Sequence, residues 1–141
     1  MNNPEFIKKS EDLLAIIIRK DYTKEETEFF TPEKFPQQVG FIFKKKDEII
    51  GAHTHRLVKR EIELTQEVLI IRKGKMKVDF YDFDKKYFDS RILEAGDVIL
   101  LTGGGHGYEA LEDLEVVEIK QGPYLGRDDK IQLKDVNEKK L

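Results

Sequence analysis

Short apolar or alternating segments, each followed by a turn signal, recur along this 141-residue chain and limit the folds open to it. Segments of this kind, rich in Val, Ile, Leu, Phe and Tyr, are typical of β-strands. Turn signals such as Lys73-Gly74 and Ala95-Gly96-Asp97 separate them at the spacing of a β-sandwich or barrel. The sequence therefore predicts an all-β protein with strands at 13–19, 39–43, 49–52, 61–71, 75–81, 90–93, 98–101 and 114–119.

Helical patterns are scarce. No segment after residue 40 has a convincing helical period, which argues against a parallel βαβ fold, although residues 3–14 are compatible with one short helix. Four apolar residues follow one another at 68–71, which indicates that both faces of that strand are covered. In a small all-β protein the second of these faces is often covered by a partner subunit, so a homodimer is expected.

Composition excludes several classes of protein. Lys and Arg total 25 against 28 Asp and Glu, so the net charge is −3 and the chain lacks the basic excess that nucleic-acid binding needs. The absence of cysteine excludes disulfides and thiolate metal sites, so any metal must use His, Asp or Glu. The longest apolar run, at 13–18, is too short for a membrane span or a signal peptide, and a cytoplasmic protein is expected.

The chain has only three histidines, and two of them form His53-Thr54-His55. On a strand, residues two apart point to the same face, so these two imidazoles could converge on one metal ion. Taken alone the pattern is also compatible with two exposed or packed histidines. The third histidine, His106, follows the run Gly103-Gly104-Gly105, which is typical of a tight turn and not of a phosphate loop.

Two blocks of sequence resemble the motifs of the cupin superfamily, G-x5-H-x-H-x3,4-E-x6-G and G-x5-P-x-G-x2-H-x3-N. Glu67 and Gly74 match the E-x6-G half of the first motif, and the segment from Gly96 to His106 corresponds to the second. The resemblance spans about residues 49 to 120. It implies a double-stranded β-helix, a jelly-roll barrel with a metal at its inner face.

The chain departs from these motifs in places. Eleven residues separate His55 from Glu67 where the family has three or four, so Glu61 or Glu63 remains an alternative acid. In the second block Thr102 replaces the proline, the histidine comes one residue early, and Ala110 stands where the asparagine would be.

The resemblance implies a mononuclear site with an octahedral ligand set that leaves positions for water or substrate. Its metal would be Fe, Mn, Ni or Zn, and its ligands would be His53, His55, Glu67 and His106. The alternative is a barrel of the same fold without a tightly bound metal. The joint placement of all three histidines at ligand positions favours the metal site.

Further candidates surround these ligands. The resemblance places three possible proton-transfer groups near the mouth or lumen of the barrel, namely Glu118, Lys120 and Tyr108. Glu118 and Lys120 share one face of their strand, which could equally be a solvated outer face. Arg56 and Arg60, in a charged loop that is otherwise ordinary surface, could bind an acidic substrate. Gln38 could reach a ligand, or it could belong to the packing of an N-terminal extension.

These observations predict an N-terminal extension at 1–48 that packs on the barrel, a cupin barrel at 49–133 and a flexible tail at 134–141. The expected function is metal-assisted isomerisation, epimerisation or lyase chemistry on a small polar, anionic or sugar-derived metabolite. An Fe(II)-dependent dioxygenase and a non-catalytic small-molecule-binding module are the alternatives.

Overall fold

The computed structural model describes residues 3–133, so the tail at 134–141 lies outside the described part of the chain. Ten strands and one short 3-10 helix make up its regular structure. The strands are β1 (Glu5–Lys9), β2 (Asp12–Ile18), β3 (Glu28–Phe29), β4 (Gly40–Phe41), β5 (Glu67–Lys73), β6 (Lys75–Tyr81), β7 (Tyr87–Glu94), β8 (Val98–Leu101), β9 (Gly105–Ala110) and β10 (Glu115–Lys120). The helix covers Gly126–Asp129.

All strand pairs are antiparallel. The larger sheet has the order β1-β2-β8-β5-β10, a second sheet has the order β7-β6-β9, and β3 pairs with β4 alone. The predicted all-β class is confirmed. The larger sheets do not close into a barrel within the described residues, because β9 and β10 each keep one edge without a strand partner.

The hydrophobic core lies between the inner faces of the two larger sheets. Alternate residues of β2, β5 and β8 point inward from one sheet, and alternate residues of β6 point inward from the other. The buried side chains that meet there include Ile17, Leu69, Ile71, Ile99, Met76, Val78, Phe80 and Leu93. Burial of this apolar surface is the main stabilising contribution to the fold.

The helix considered for residues 3–14 is wrong. Those residues belong to a hairpin of β1 and β2, with Lys9 opposite Asp12 and Ser10 at a positive φ of 53° in the turn. The β-branched run of β2 pairs with both β1 and β8, and tertiary pairing of this kind outweighs local helix propensity. Residues 5–18 thus supply two strands of the five-stranded sheet.

One expected strand is absent, one begins later than expected, and three were not predicted, namely β1, β3 and β9. Residues 49–52 form no strand, and the strand expected at 61–71 begins only at Glu67. Conversely, β9 has the sequence Gly105-His106-Gly107-Tyr108-Glu109-Ala110, whose glycines predict a turn rather than a strand. Pairing with β6 along its whole length makes it a strand.

No helix among residues 3–133 has the length and apolar character needed to cross a membrane.

Candidate functional site

Polar side chains interrupt the apolar inner faces where β5 and β10 face β9. On the larger sheet, Glu67 lies opposite Lys120 in the register and Glu118 is two residues further along β10. On the smaller sheet, His106 and Tyr108 lie opposite Phe80 and Val78, which are core residues. We call these five residues, Glu67, His106, Tyr108, Glu118 and Lys120, the inner polar cluster.

Glu67 is the centre of this cluster. Its Oε2 atom lies 3.3 Å from Nε2 of His106 and accepts a hydrogen bond of 3.3 Å from the hydroxyl of Tyr108. The imidazole and the phenol ring are stacked, with centroids 5.5 Å apart and planes at 23°. Three groups that can hold or transfer a proton therefore meet at one carboxylate oxygen.

The surroundings fix the charge of these groups. The hydrogen bond to His106 lowers the pKa of Glu67, against the opposing effect of its burial, and Tyr108 and Lys120 lower it further. Tyr108 is 44% exposed, and the burial of the rest of its side chain raises the pKa of its phenol, as do the negative charges of Glu67 and Glu118. At neutral pH the cluster thus contains a carboxylate and a protonated phenol.

Lys120 supplies a positive charge to the same cluster. Its Nζ atom lies 3.1 Å from Oδ2 of Asp129 in the 3-10 helix and 5.4 Å from the ring centroid of Tyr124. The hydrogen bond to Asp129 raises the pKa of Lys120, so this side chain is an ammonium ion at neutral pH. As a cation it can bind an anionic group, but it does not serve as a base.

Backbone geometry places His106 in the cluster. Gly105 pairs with Tyr81 at the end of β6, and Gly104 precedes it with a φ of +67°. A Cβ atom on Gly104 would lie 2.3 Å from the carbonyl oxygen of Tyr81, so only glycine allows this close approach. The glycine run is therefore the turn that aligns β9 with β6.

Gln66, which sequence reasoning did not single out, fixes the start of β5. Its side chain is fully buried, donates a 3.2 Å hydrogen bond to the carbonyl oxygen of Thr102 and accepts one of 3.3 Å from the backbone of Gln37. The backbone N–H of Gln66 donates a hydrogen bond of 2.7 Å to Oε1 of Gln121. Gln66 thus connects three segments beside Glu67, and the one sequence signal for this role is its position next to the expected ligand.

The four residues expected to bind metal lie in two pairs. Glu67 and His106 adjoin in the inner polar cluster. His53 and His55 stack edge to face with centroids 5.2 Å apart, in an exposed segment, and Nδ1 of His53 lies 2.8 Å from the carbonyl oxygen of Gly51. Within residues 3–133, no three His, Asp or Glu side chains form a group that could hold a metal ion.

Each pair has donors suited to a divalent metal. Two donors on adjacent coordination positions, each about 2.1 Å from the ion, lie about 3 Å apart. The 3.3 Å separation of Glu67 and His106 is close to that value. Imidazole nitrogen and carboxylate oxygen are ordinary ligands of Fe, Mn, Ni and Zn. The residues fit a metal in chemistry, and one chain assembles half of the expected ligand set.

The expected substrate-binding residues lie elsewhere. Arg56 and Arg60 are exposed in the same segment as the histidine pair. The side-chain amide of Gln38 donates hydrogen bonds to the carbonyl oxygens of Pro32, Glu33 and Phe35 and accepts one of 2.7 Å from Thr31. These contacts use the amide to hold the loop between β3 and β4.

A separate depression of about 410 Å³ lies between residues 19–21, which follow β2, the first residue of β6, and the end of β7 with the turn into β8. Its charged groups already form ion pairs with one another, Arg19 with Asp97 at 3.2 Å and Lys20 with Glu94 at 2.8 Å. The residues that line the depression include no histidine or tyrosine. It therefore lacks the convergence of an imidazole and a phenol on one carboxylate oxygen that makes the inner polar cluster the candidate site.

Searches with this chain found no matching family model, curated protein or solved structure.

Proposed function

We propose that this chain is a small metal-binding enzyme of the cupin type that transfers protons on a small polar or sugar-derived metabolite in the cytoplasm. The observation that carries the proposal is the convergence of His106 and Tyr108 on one carboxylate oxygen of Glu67, at 3.3 Å each. The position of this cluster between two sheets, with a cation opposite, supports it further. Many isomerisation, epimerisation and lyase reactions begin with the removal of a proton from the carbon beside a carbonyl group.

Each side chain has a definite task in this proposal. The ammonium group of Lys120 binds an acidic group of the metabolite and orients it against β10. The Glu118 carboxylate, on the same strand face as Lys120, accepts the proton from carbon. The Tyr108 hydroxyl, which stays protonated, donates a hydrogen bond to the substrate oxygen as negative charge develops there. Glu67 holds the phenol and the imidazole in position through Oε2.

A divalent metal held by Glu67 and His106, with His53 and His55 as further ligands, would stabilise negative charge on the substrate oxygen as a Lewis acid. Two observations further support such a metal. Both pairs consist of residue types that bind divalent ions, and the donor atoms of Glu67 and His106 lie 3.3 Å apart.

Solvent-deuterium exchange tests the proposal without knowledge of the product. The protein is incubated in D2O with a panel of sugars, sugar acids and sugar phosphates, and loss of carbon-bound protons is followed by NMR. We expect exchange into at least one compound, and we expect Tyr108→Phe to slow it by roughly a hundredfold or more, which is the contribution of a positioned hydrogen-bond donor.

The matched control is Tyr124→Phe, which removes a hydroxyl but keeps the ring beneath Lys120. Equal exchange by wild type and Tyr108→Phe would remove Tyr108 from the mechanism. Oxygen consumption without proton exchange would instead favour the dioxygenase, and tight metabolite binding without either reaction would favour the binding module.

A further inference from the structure

Residues 44–65, which we call the arm, are exposed at every one of their 22 positions. The arm nevertheless contains six large apolar side chains, which are Ile49, Ile50, Leu57, Val58, Ile62 and Leu64. Leu57 is as exposed as it would be in an isolated peptide, at 103%, and Ile49 is 86% exposed. So many exposed apolar side chains in one segment indicate an interaction segment.

The backbone of the arm is equally unpaired. From residue 48 to residue 66 the chain contains no strand and no turn, and within residues 3–133 no backbone-to-backbone hydrogen bond involves residues 49–65. The sequence favours strands at 49–52 and within 61–71. A segment with strand-forming residues, whose N–H and C=O groups have no backbone partners, is suited to pair with another strand.

One face of the larger sheet offers the arm a complementary surface. Ile16, Leu100, Val68 and Ile119 form one row across its outer face, according to the register of β2, β8, β5 and β10. Ile16 and Leu100 are fully buried, Val68 is half-buried, and Ile119 is 50% exposed. Among residues 3–133, the side chains that cover this face therefore reach only as far as β5. The apolar row continues exposed to the outer edge of β10, which has no strand partner in this part of the chain.

Charge favours a second copy of this chain as the partner. The arm has six basic and four acidic residues, whereas the whole chain has a net charge of −3, so the rest of the molecule is acidic. A basic, apolar arm and an acidic body with an uncovered apolar strand attract each other between two identical molecules. In a dimer with a twofold axis, each arm would bind the body of the other copy in the same way.

We infer that the arms exchange between two copies, each passing round the free edge of β10 of the other copy and placing His53 and His55 beside Glu67 and His106 of that copy. The juxtaposition that carries this inference is the division of the ligands into two pairs within one chain, with one pair on the unpaired arm. The placement of the histidines rests on the proposed function, whereas the exchange of the arms does not.

Cysteine cross-linking tests the exchange directly, because the native chain has no cysteine to interfere. Thr54→Cys lies between the two arm histidines and Glu118→Cys lies in the inner polar cluster. We expect an equimolar mixture of the two single variants, refolded together and oxidised at low protein concentration, to give a disulfide-linked dimer with about half of the chains on a non-reducing gel, because random pairing makes half of the dimers mixed. Pairing Thr54→Cys with Glu109→Cys, on the opposite face of β9, is the control and should give no such band.

The double variant Thr54→Cys/Glu118→Cys distinguishes exchange from folding back. A disulfide within one chain, which migrates as a monomer, would overturn the inference, and so would the absence of any link in variants with wild-type circular dichroism. Dimers linked between chains support it.

Metal complementation then separates this inference from the proposed function. His53→Ala/His55→Ala and Glu67→Gln/His106→Ala each lose one ligand pair, and Ni²⁺ is the probe in equilibrium dialysis. We expect neither variant to bind alone and a purified mixed dimer to bind about one Ni²⁺, because one intact ligand set forms across it. A site within one chain would not be restored by mixing, which would overturn the inference.

The two proposals can fail separately. If wild type binds Ni²⁺ but no interchain link forms, the exchange is wrong and the metal site stands. If the link forms but wild type binds no Ni²⁺, the exchange stands and the metal-dependent function is wrong.

Discussion

At the scale of single residues, buried polar side chains hold the loops of this protein together. Asp97 is 1% exposed, and its carboxylate accepts hydrogen bonds of 2.8 Å from the backbone amides of Lys20 and Glu94 and one of 3.2 Å from Arg19. No buried side-chain nitrogen or oxygen within residues 3–133 lacks a partner. Removing one of these groups lowers the free energy of unfolding, because its hydrogen-bond partners stay buried without a replacement.

Asp97→Ala leaves those two backbone amides without acceptors. We expect it to lower the free energy of unfolding by about 2–4 kcal/mol, since several hydrogen bonds to a charged group are lost together. Urea denaturation followed by circular dichroism measures this change. Asp97→Asn keeps one acceptor oxygen and should lose less, and equal stability of wild type and Asp97→Ala would contradict the account.

Asp82 makes stability depend on pH. A hydrogen bond from the ammonium group of Lys9 lowers the pKa of Asp82, and the backbone amides of Lys86 and Asp84 lower it further. A carboxyl with a lowered pKa stabilises the fold above its unfolded value, and this stabilisation is lost as the pH falls through the folded value. We expect Asp82→Asn to melt below wild type at pH 7.

That difference in melting temperature should narrow as the pH falls below about 4, where the wild-type carboxyl also becomes protonated. Asp84→Asn, an exposed neighbour in the same turn, is the control and should melt like wild type at each pH. A gap between Asp82→Asn and wild type that stays constant down to pH 2 would argue against the assignment.

At the scale of elements, turn geometry aligns the strands. Gly74 joins β5 to β6 with a φ of +86°, and a Cβ atom there would lie 2.1 Å from the carbonyl oxygen of Asp113. The turn is therefore closed to any other residue without movement of the neighbouring loop.

Gly74→Ala should lower the free energy of unfolding by at least about 2 kcal/mol, because it adds backbone strain to a steric clash. The matched variant is Gly107→Ala, where a Cβ atom would meet nothing within 4 Å. We expect that variant to stay within about 0.5 kcal/mol of wild type. Equal effects of the two substitutions in chemical denaturation would show that turn geometry does not control the fold.

Local sequence patterns predicted those strands whose own residues form a clear apolar or alternating run. The bounds predicted for β6 and β8 agree with the structure, because continuous or alternating apolar runs end there at clear turns. β2 agrees to within one residue at each end, with 13–19 predicted and Asp12–Ile18 observed. β1 and β9 have weak patterns of their own and become strands by pairing with β2 and β6, so local propensity did not reveal them. Residues 49–52 and 61–66 have strand patterns but no strand partner within the described chain.

At the scale of the whole molecule, the sequence predicted the residues of the candidate site better than their assembly. Glu67, His106 and Tyr108 come together because β5 and β9 face each other across the core, which no spacing along the chain specifies. The positions of His53 and His55 depend on where the arm, residues 44–65, lies relative to the sheets. The same long-range arrangement leaves the two larger sheets open and separates the four expected ligands into two pairs within the described residues.

The metal content of the protein tests the central claim most directly. Untagged wild type and His53→Ala/His106→Ala are purified under low oxygen, dialysed against a mixture of Fe²⁺, Mn²⁺, Ni²⁺ and Zn²⁺, and measured by elemental analysis, with Glu109→Gln as a control on the opposite face of β9. The account predicts about one metal ion per chain in wild type and the control, and its loss in the double variant. Wild type without metal, or a double variant that retains it, would contradict the account.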